Sequence, residues 1–301
     1  MMSFASDVKS ELLAIEREYG CCETAEAYGM LLFGHSFNAR DISLQTENRE
    51  IAKLYSRLVF DVTGIEPLMS PSDAGKQGAV VEKAKERSTV LEIFGHTGNE
   101  PSLRINHGNI ENECCISAFI RGVFLSCGTV TSPQKDYHLE FCVPYRKLCQ
   151  DFMKFLEELD FKPKLVERKG YQIIYFKESE KIEDLLTCMQ AVQSSLALMN
   201  IKIYKDFRNK ANRITNCETA NISKTVAAAG EQLDAIARIK AADCFESLPD
   251  ELRELALLRE ENPEMSLREL GEILTTPISR SGVNHRLKRL IQLAGELPQA
   301  E

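Results

Sequence analysis

The chain of 301 residues carries two vicinal cysteine pairs, Cys21-Cys22 and Cys114-Cys115, that stand 93 residues apart. The same offset places Ala25 on Ala118, Gly29 on Gly122 and Leu32 on Leu125, with Thr24 against Ser117 and Ser36 against Thr129 as similar pairs. Five identities in one short ungapped window mark an internal repeat, and a repeat restricts architecture more than any other sequence feature. A module of about 95 residues used twice predicts two like halves.

Both copies continue alike. Residues Ala25 to Phe33 and Ala118 to Leu125 read as helices buried on nearly every side, each with a glycine in its middle, Gly29 and Gly122. Glycine inside a helix costs about 1 kcal/mol against alanine, so its presence points to two helix backbones meeting there. Alternating runs follow as strands: Ser36-Phe37 with Ile42 to Gln45, then Gly128 to Val130 with His138 to Val143. Next comes a helix in each copy. The first is Arg49 to Val62, with Ile51, Leu54, Tyr55, Leu58 and Val59 on one stripe; the second is Tyr145 to Leu159, with Leu148, Phe152, Phe155 and Leu156. Each runs into a proline, Pro67 or Pro163. Further strands are expected at Thr89 to Phe94 and Tyr171 to Phe176, and a closing helix at Ile182 to Ala197. The order helix, two strands, helix, two strands, helix, twice over, predicts an α+β pseudo-twofold tandem repeat with copies over residues 1–105 and 106–203.

Charge and composition narrow the function classes. A net charge of -8 excludes a broadly basic coat, so any nucleic-acid surface must be a local patch. The first residues, with Asp7, Lys9 and Glu11, are not a secretory signal. The longest apolar stretch, Ala118 to Val130, is interrupted by Arg121 and falls short of the roughly 20 residues that cross a bilayer. A cytoplasmic protein without a membrane partner is expected. The ten cysteines form no Cys-x-x-Cys, and no histidine stands at finger-like spacing from a cysteine pair. Spacing therefore predicts reduced thiols, no structural metal and no cofactor. His35, His96, His107 and His138 show no ligand spacing either.

The carboxyl-terminal part reads as a helix-turn-helix over residues 248–301. Leu252 to Glu260 is amphipathic, and Ser266 opens a capping box with Glu269 ahead of a short helix, Leu267 to Leu274. That helix is expected to bury Leu267, Leu270 and Ile273. Pro277 breaks the chain, and Ser281 or Ser279 caps a last helix with Val283, Leu287, Leu290 and Ile291 on its buried face. From Ser279 to Ile291 there are four basic residues and no acid. Arg280, Ser281, Asn284, His285, Arg286, Lys288 and Arg289 are therefore the candidate DNA-binding residues, because asparagine reads an adenine edge and arginine a guanine edge or a phosphate. Upstream, residues 204–247 read as a basic, helical linker. Lys202 to Lys224 holds six basic residues and two acids, and Lys202, Lys205, Arg208, Lys210 and Arg213 are candidate phosphate contacts. The Asn- and Thr-rich piece Asn212 to Asn221 reads as a capped loop.

The glycine-centred helices resemble the motif helices of the LAGLIDADG homing endonucleases. In that family an acid closes each helix, and the two acids hold divalent metal at the cleavage site. Laid on this chain, the acid positions are occupied by Gly34 and Cys127, and neither suits a hard cation. The resemblance thus implies a kept scaffold and a lost nuclease centre; Asp41 or Asp136 are the nearby acids that an active metal-dependent endonuclease would need instead. A fuller resemblance, covering essentially the whole chain, is to the WhiA family of bacterial regulators. It rests on Cys114-Cys115 leading into Phe119 to Leu125, on Asn212 to Asn221, and on Ser279 to Leu287. It implies a non-enzymatic, sequence-specific DNA-binding transcriptional regulator linked to cell division, chromosome segregation or sporulation, at the nucleoid, with double-stranded DNA as partner. The other reading it leaves open is a scaffold that contacts a sigma factor through the endonuclease-like domain.

Overall fold

A computed structural model describes residues 3–17, 19–71 and 77–297. The chain forms two compact units, Met1–Lys205 and Asp206–Glu301.

The first unit opens with α1 (Phe4–Leu13), whose first turn is capped by Ser3 accepting from the Ser6 amide at 3.2 Å. The first repeat then runs α2 (Gly20–Leu32), β1 (Ser36–Phe37), β2 (Ile42–Thr46), α3 (Arg49–Thr63), β3 (Leu68–Pro71), β4 (Gln77–Val80) and α4 (Ala84–Ile93). The second runs α5 (Glu113–Cys127), β5 (Gly128–Val130), β6 (Leu139–Val143), α6 (Arg146–Glu158), β7 (Lys164–Arg168), β8 (Tyr171–Phe176) and α7 (Ser179–Cys188). Both sheets are antiparallel with the same strand order, β1-β2-β4-β3 and β5-β6-β8-β7. One topology used twice is the expected tandem repeat.

Each repeat lays an amphipathic helix on its sheet. In α3 the buried residues are Ile51, Ala52, Leu54, Tyr55, Leu58 and Val59; in α6 they are Leu148, Cys149, Phe152, Phe155 and Leu156. Asn48 caps α3 by accepting from the Glu50 amide at 2.9 Å, and Gly64 ends it in the left-handed region at φ 71°, a conformation glycine adopts without strain.

The two halves join through α2 and α5, which pack along their length. A Cβ added at Gly122 would lie 2.3 Å from the Glu26 carbonyl oxygen, and one at Gly29 would lie 2.5 Å from the Phe119 carbonyl oxygen. Only glycine permits backbones this close. The Ser126 hydroxyl crosses the same seam to donate to the Met30 carbonyl at 3.1 Å. Tyr28, Phe33, Phe119 and Phe152 close around the crossing, with ring centroids 5.0 to 6.3 Å apart.

One charged network lies inside this apolar seam. Glu26 of α2 is fully buried and accepts from Arg17 Nη2 and from Arg121 Nη2 of α5, both at 2.8 Å. Arg121 Nη1 donates in turn to Gln190 Oε1 at 2.9 Å. A buried carboxylate persists because both oxygens are paired with guanidinium groups.

Two expectations need correction here. Thr89 to Phe94 is the end of α4, not a strand: Val90, Leu91 and Phe94 face the core at helical spacing, which overrides the β-branched character of Thr89, Val90 and Ile93. The strand positions of the first repeat are taken by β3 and β4. The closing helix Ile182 to Ala197 is interrupted, because Gln190 adopts φ 72° between α7 and the next helix. That kink aims the Gln190 side chain at Arg121.

The second unit is built from α8 (Val192–Ala241), which begins in the first unit, with α9 (Asp250–Glu261), α10 (Leu267–Ile273) and α11 (Arg280–Glu296). Asn212 to Asn221 lies within α8, so the expected loop is helix. Its Asn and Thr residues have modest helix propensity, and nothing in a one-dimensional reading signals the helix on either side. The expected linker over residues 204–247 is not a linker throughout. Residues 206–228 are exposed along α8, whereas Ala235, Ile236 and Ile239 enter the carboxyl-terminal core with Leu252, Leu255, Leu270, Val283, Leu287 and Leu290. The capping box forms as expected, with the Glu269 amide donating to Ser266 Oγ at 3.3 Å and the Ser266 amide to Glu269 Oε2 at 2.8 Å. Ile273 is 45% exposed, and Leu274 takes the expected buried place. The short helix is tied to the turn through Gly271, whose carbonyl accepts from the Ile278 amide at 3.1 Å; a Cβ there would meet the Ile278 oxygen at 2.4 Å.

Candidate nucleic-acid interface

Ser279, not Ser281, caps α11, accepting from the Gly282 amide at 3.3 Å. Val283, Leu287, Leu290 and Ala294 bury one stripe of the helix. The opposite side is exposed at Arg280, Ser281, His285, Lys288 and Arg289, and Asn284 is half-buried. At about 100° per residue, positions two apart lie about 200° around a helix, so Asn284 and Arg286 occupy opposite flanks. Arg286 turns toward α9, where its Nη2 pairs with Glu251 at 2.5 Å and the side chain is 21% exposed. Asn284 turns the other way, into a cleft.

That cleft, about 450 Å³, lies between α8, the end of α9 and the first turns of α10 and α11. Lys224, Arg259, Arg268 and Arg280 line it together with Gln232 and Asn284, and none of its lining residues is acidic. Arg259 is buried and donates through Nη1 to the carbonyls of Asn262, Pro263 and Met265, at 3.4, 3.3 and 2.8 Å. Burial lowers its pKa from the usual arginine value. Gln232 is buried with its Oε1 unpaired by any described group. Cations on three walls and the amino-terminal end of α11 make an electropositive concavity that fits a phosphate. Sequence reading missed Arg268, Lys224 and Arg259 because they come from separate helices; no local pattern joins them.

The phosphate candidates on α8 divide into two groups. Lys202 is engaged with Glu180 and, at 3.7 Å, with Glu183. Lys205 donates to the Lys135 carbonyl at 3.4 Å and lies 5.0 Å from the Tyr137 ring centroid. Arg208, Lys210 and Arg213 are exposed on the free stretch of the helix, with Phe207 beside them 74% exposed.

At the former acid positions the chemistry is not that of a hard-metal site. A Cβ at Gly34 would meet the Met30 and Ser43 carbonyl oxygens at 3.0 Å. Burial, then the neighbouring Cys142, pushes the Cys127 thiol far above its usual value, so it stays protonated, and burial lowers the pKa of Lys9 beside it. Asp41 accepts from Ser43 Oγ at 2.7 Å, and Asp136 is exposed in the turn between β5 and β6. Among the described residues, the one group of three or more ligand side chains within 4.8 Å of one another is a set of thiols, Cys21, Cys114 and Cys115.

A tandem α+β repeat joined through glycine-crossed helices, followed by a small helical domain with one cationic face, defines a class: helix-turn-helix proteins carrying a LAGLIDADG-like domain. Family models described as the WhiA LAGLIDADG-like domain and the WhiA C-terminal HTH domain match residues 116–208 and 211–294. The probable cell division protein WhiA of Alkaliphilus metalliredigens is 37% identical over 309 residues, covering 97% of this chain and 98% of that one. Its counterpart in Carboxydothermus hydrogenoformans is 36% identical over 306 residues, 98% of each chain. The chain belongs to the WhiA family. The crystal structure of full-length DUF199/WhiA from Thermatoga maritima has the same fold, with a TM-score of 0.62 over 99% of this chain and all of that one at 22% identity. No helix among the described residues is long and apolar enough to cross a membrane.

Proposed function

We propose that this protein is a non-enzymatic, sequence-specific DNA-binding regulator of transcription acting in cell division, with α11 as its reading element. The observation that carries the proposal is the acid-free cleft lined by Lys224, Arg259, Arg268 and Arg280, directly beside the exposed face of α11. A phosphate seated there fixes the register of a duplex. Ser281, Asn284, His285 and Lys288 then face its bases, Arg280 holds the seated phosphate, and Arg289 with Arg208, Lys210 and Arg213 contributes further phosphate attraction. Arg286 is paired with Glu251 of α9 and turned away from the bases. The names of the relatives supply the cell-division setting.

Binding titrations on a genomic target selected by footprinting, and on a scrambled duplex of equal length, test this. Arg268→Ala and Lys224→Ala should weaken both duplexes alike and each reduce the salt slope by about one phosphate. Asn284→Ala with His285→Ala should cost about 1–3 kcal/mol per contact on the target alone. Equal losses on both duplexes for the second pair would remove α11 from the reading role.

A further inference from the structure

The two cysteine pairs that reveal the repeat meet in space. Cys21 and Cys22 lie in the first turn of α2, Cys114 and Cys115 in the first turn of α5. Because α2 and α5 cross at Gly29 and Gly122 with their amino termini on one side, the pairs converge. The Cys21 and Cys114 sulfurs are 3.8 Å apart, and with the Cys115 sulfur they form a set within 4.8 Å of one another. Cys22 follows Cys21 in the same helical turn but stands outside that set. All ten cysteines are free.

Three thiols at one point suit a thiophilic cation. A tetrahedral zinc site with metal–sulfur bonds of about 2.3 Å has sulfur–sulfur edges of about 3.8 Å, which the Cys21–Cys114 separation already matches. The thiolates would gather at the amino-terminal ends of two helices, of 13 and 15 residues, where the helix dipoles favour negative charge. Asn112 Nδ2 donates toward the Cys115 sulfur at 3.9 Å, an outer contact of the kind that steadies a ligand. Cys21 and Cys114 are exposed, so an ion reaches the set directly from solvent.

We infer that Cys21, Cys114 and Cys115 form a trithiolate site, its fourth position open, for a thiophilic d10 cation, Zn2+ in the first instance, that clamps the two repeats together. The spacing rules that exclude zinc fail here because the ligands come from both repeats, 93 residues apart. In the nucleases that the fold resembles, metal sits at the far ends of the motif helices; in this chain those ends carry Gly34 and Cys127, and the clamp sits at the opposite ends.

The test uses the full chain, reduced and stripped of metal, titrated with Zn2+ against a chromogenic chelator and with Cd2+ while following the ultraviolet thiolate-to-cadmium absorption. One equivalent should bind. Cys21→Ser and Cys114→Ser, both at exposed positions, should weaken binding beyond the 10–100-fold that loss of an outer-shell partner costs. Cys217→Ser, exposed on α8, should leave it unchanged. In the unsubstituted protein, one equivalent of Zn2+ should protect Cys21, Cys114 and Cys115 from alkylation and leave Cys217 reactive. Absence of the cadmium band, or alkylation of these three thiols at the same rate with and without Zn2+, overturns the inference.

Discussion

Replacing Gly122 with alanine is a sharp probe of how the two repeats are held together. On helix propensity alone the change should stabilise α5 by about 1 kcal/mol. The geometry opposes it: the new Cβ would stand 2.3 Å from the Glu26 carbonyl oxygen and 3.1 Å from the Met30 amide nitrogen, both backbone atoms that no rotamer change can move. Relief requires α2 and α5 to separate by about 1 Å, a gap that forfeits a quarter to a half of each dispersion contact along the seam. It also stretches the Ser126–Met30 bond and the Glu26–Arg121 pair. Overpacking of this kind costs about 1–3 kcal/mol, so the net effect is destabilisation in spite of propensity. For a unit of this size that is about 2–4 °C per kcal/mol. The control is Gly230→Ala, in the interior of α8, where an added Cβ meets nothing within 4 Å. It should be neutral or stabilising by up to about 1 kcal/mol. Calorimetry and urea unfolding of the two variants and the parent distinguish the cases. If Gly122→Ala melts at or above the parent temperature, the helices do not cross as closely as described and the account of the seam is wrong.

Other outcomes follow from the same structure. Glu26→Ala should cost about 3–5 kcal/mol in urea unfolding, because it strands the buried Arg121 and nearly buried Arg17 without their carboxylate; a loss below 1 kcal/mol would show that the network relaxes to water. On the proposed DNA reading, Glu251→Ala should leave target affinity unchanged, whereas a tighter complex would mean that freed Arg286 joins the readout. Incubation of the protein with plasmid and Mg2+ or Mn2+ should give no nicking; cleavage abolished by Asp41→Ala or Asp136→Ala would refute the non-enzymatic assignment. Burial holds the His96 pKa below its ordinary value, against the pull of Glu100, so folding favours the neutral ring. Its contribution to stability is therefore present above the unfolded value of about 6.5 and lost as pH falls through the folded one, and His96→Gln should flatten the acid limb of the stability profile.

The repeat, the element order and the crossing glycines were legible in the sequence because each leaves a periodic or positional mark. Identical residues at a fixed offset betray duplication, and Gly29 and Gly122 announce close contact by occurring where propensity disfavours them. The capping box at Ser266 and the buried stripe of α11 were legible for the same reason: a hydrogen bond three residues long, or a stripe of period 3.6, is written locally. Strand against helix at Thr89 to Phe94 was not, since β-branched residues favour either state until packing decides. The placement of Asn212 to Asn221 within a continuous helix was hidden by low intrinsic propensity. At the interface, composition could find the basic run on α11, but only the fold separates Asn284, which faces the cleft, from Arg286, which faces Glu251. Lys224, Arg259 and Arg268 join Arg280 from three other helices, as Glu26 joins Arg17 and Arg121. Such constellations are set by where chain segments distant in sequence pack, and no short-range rule in the sequence encodes that distance.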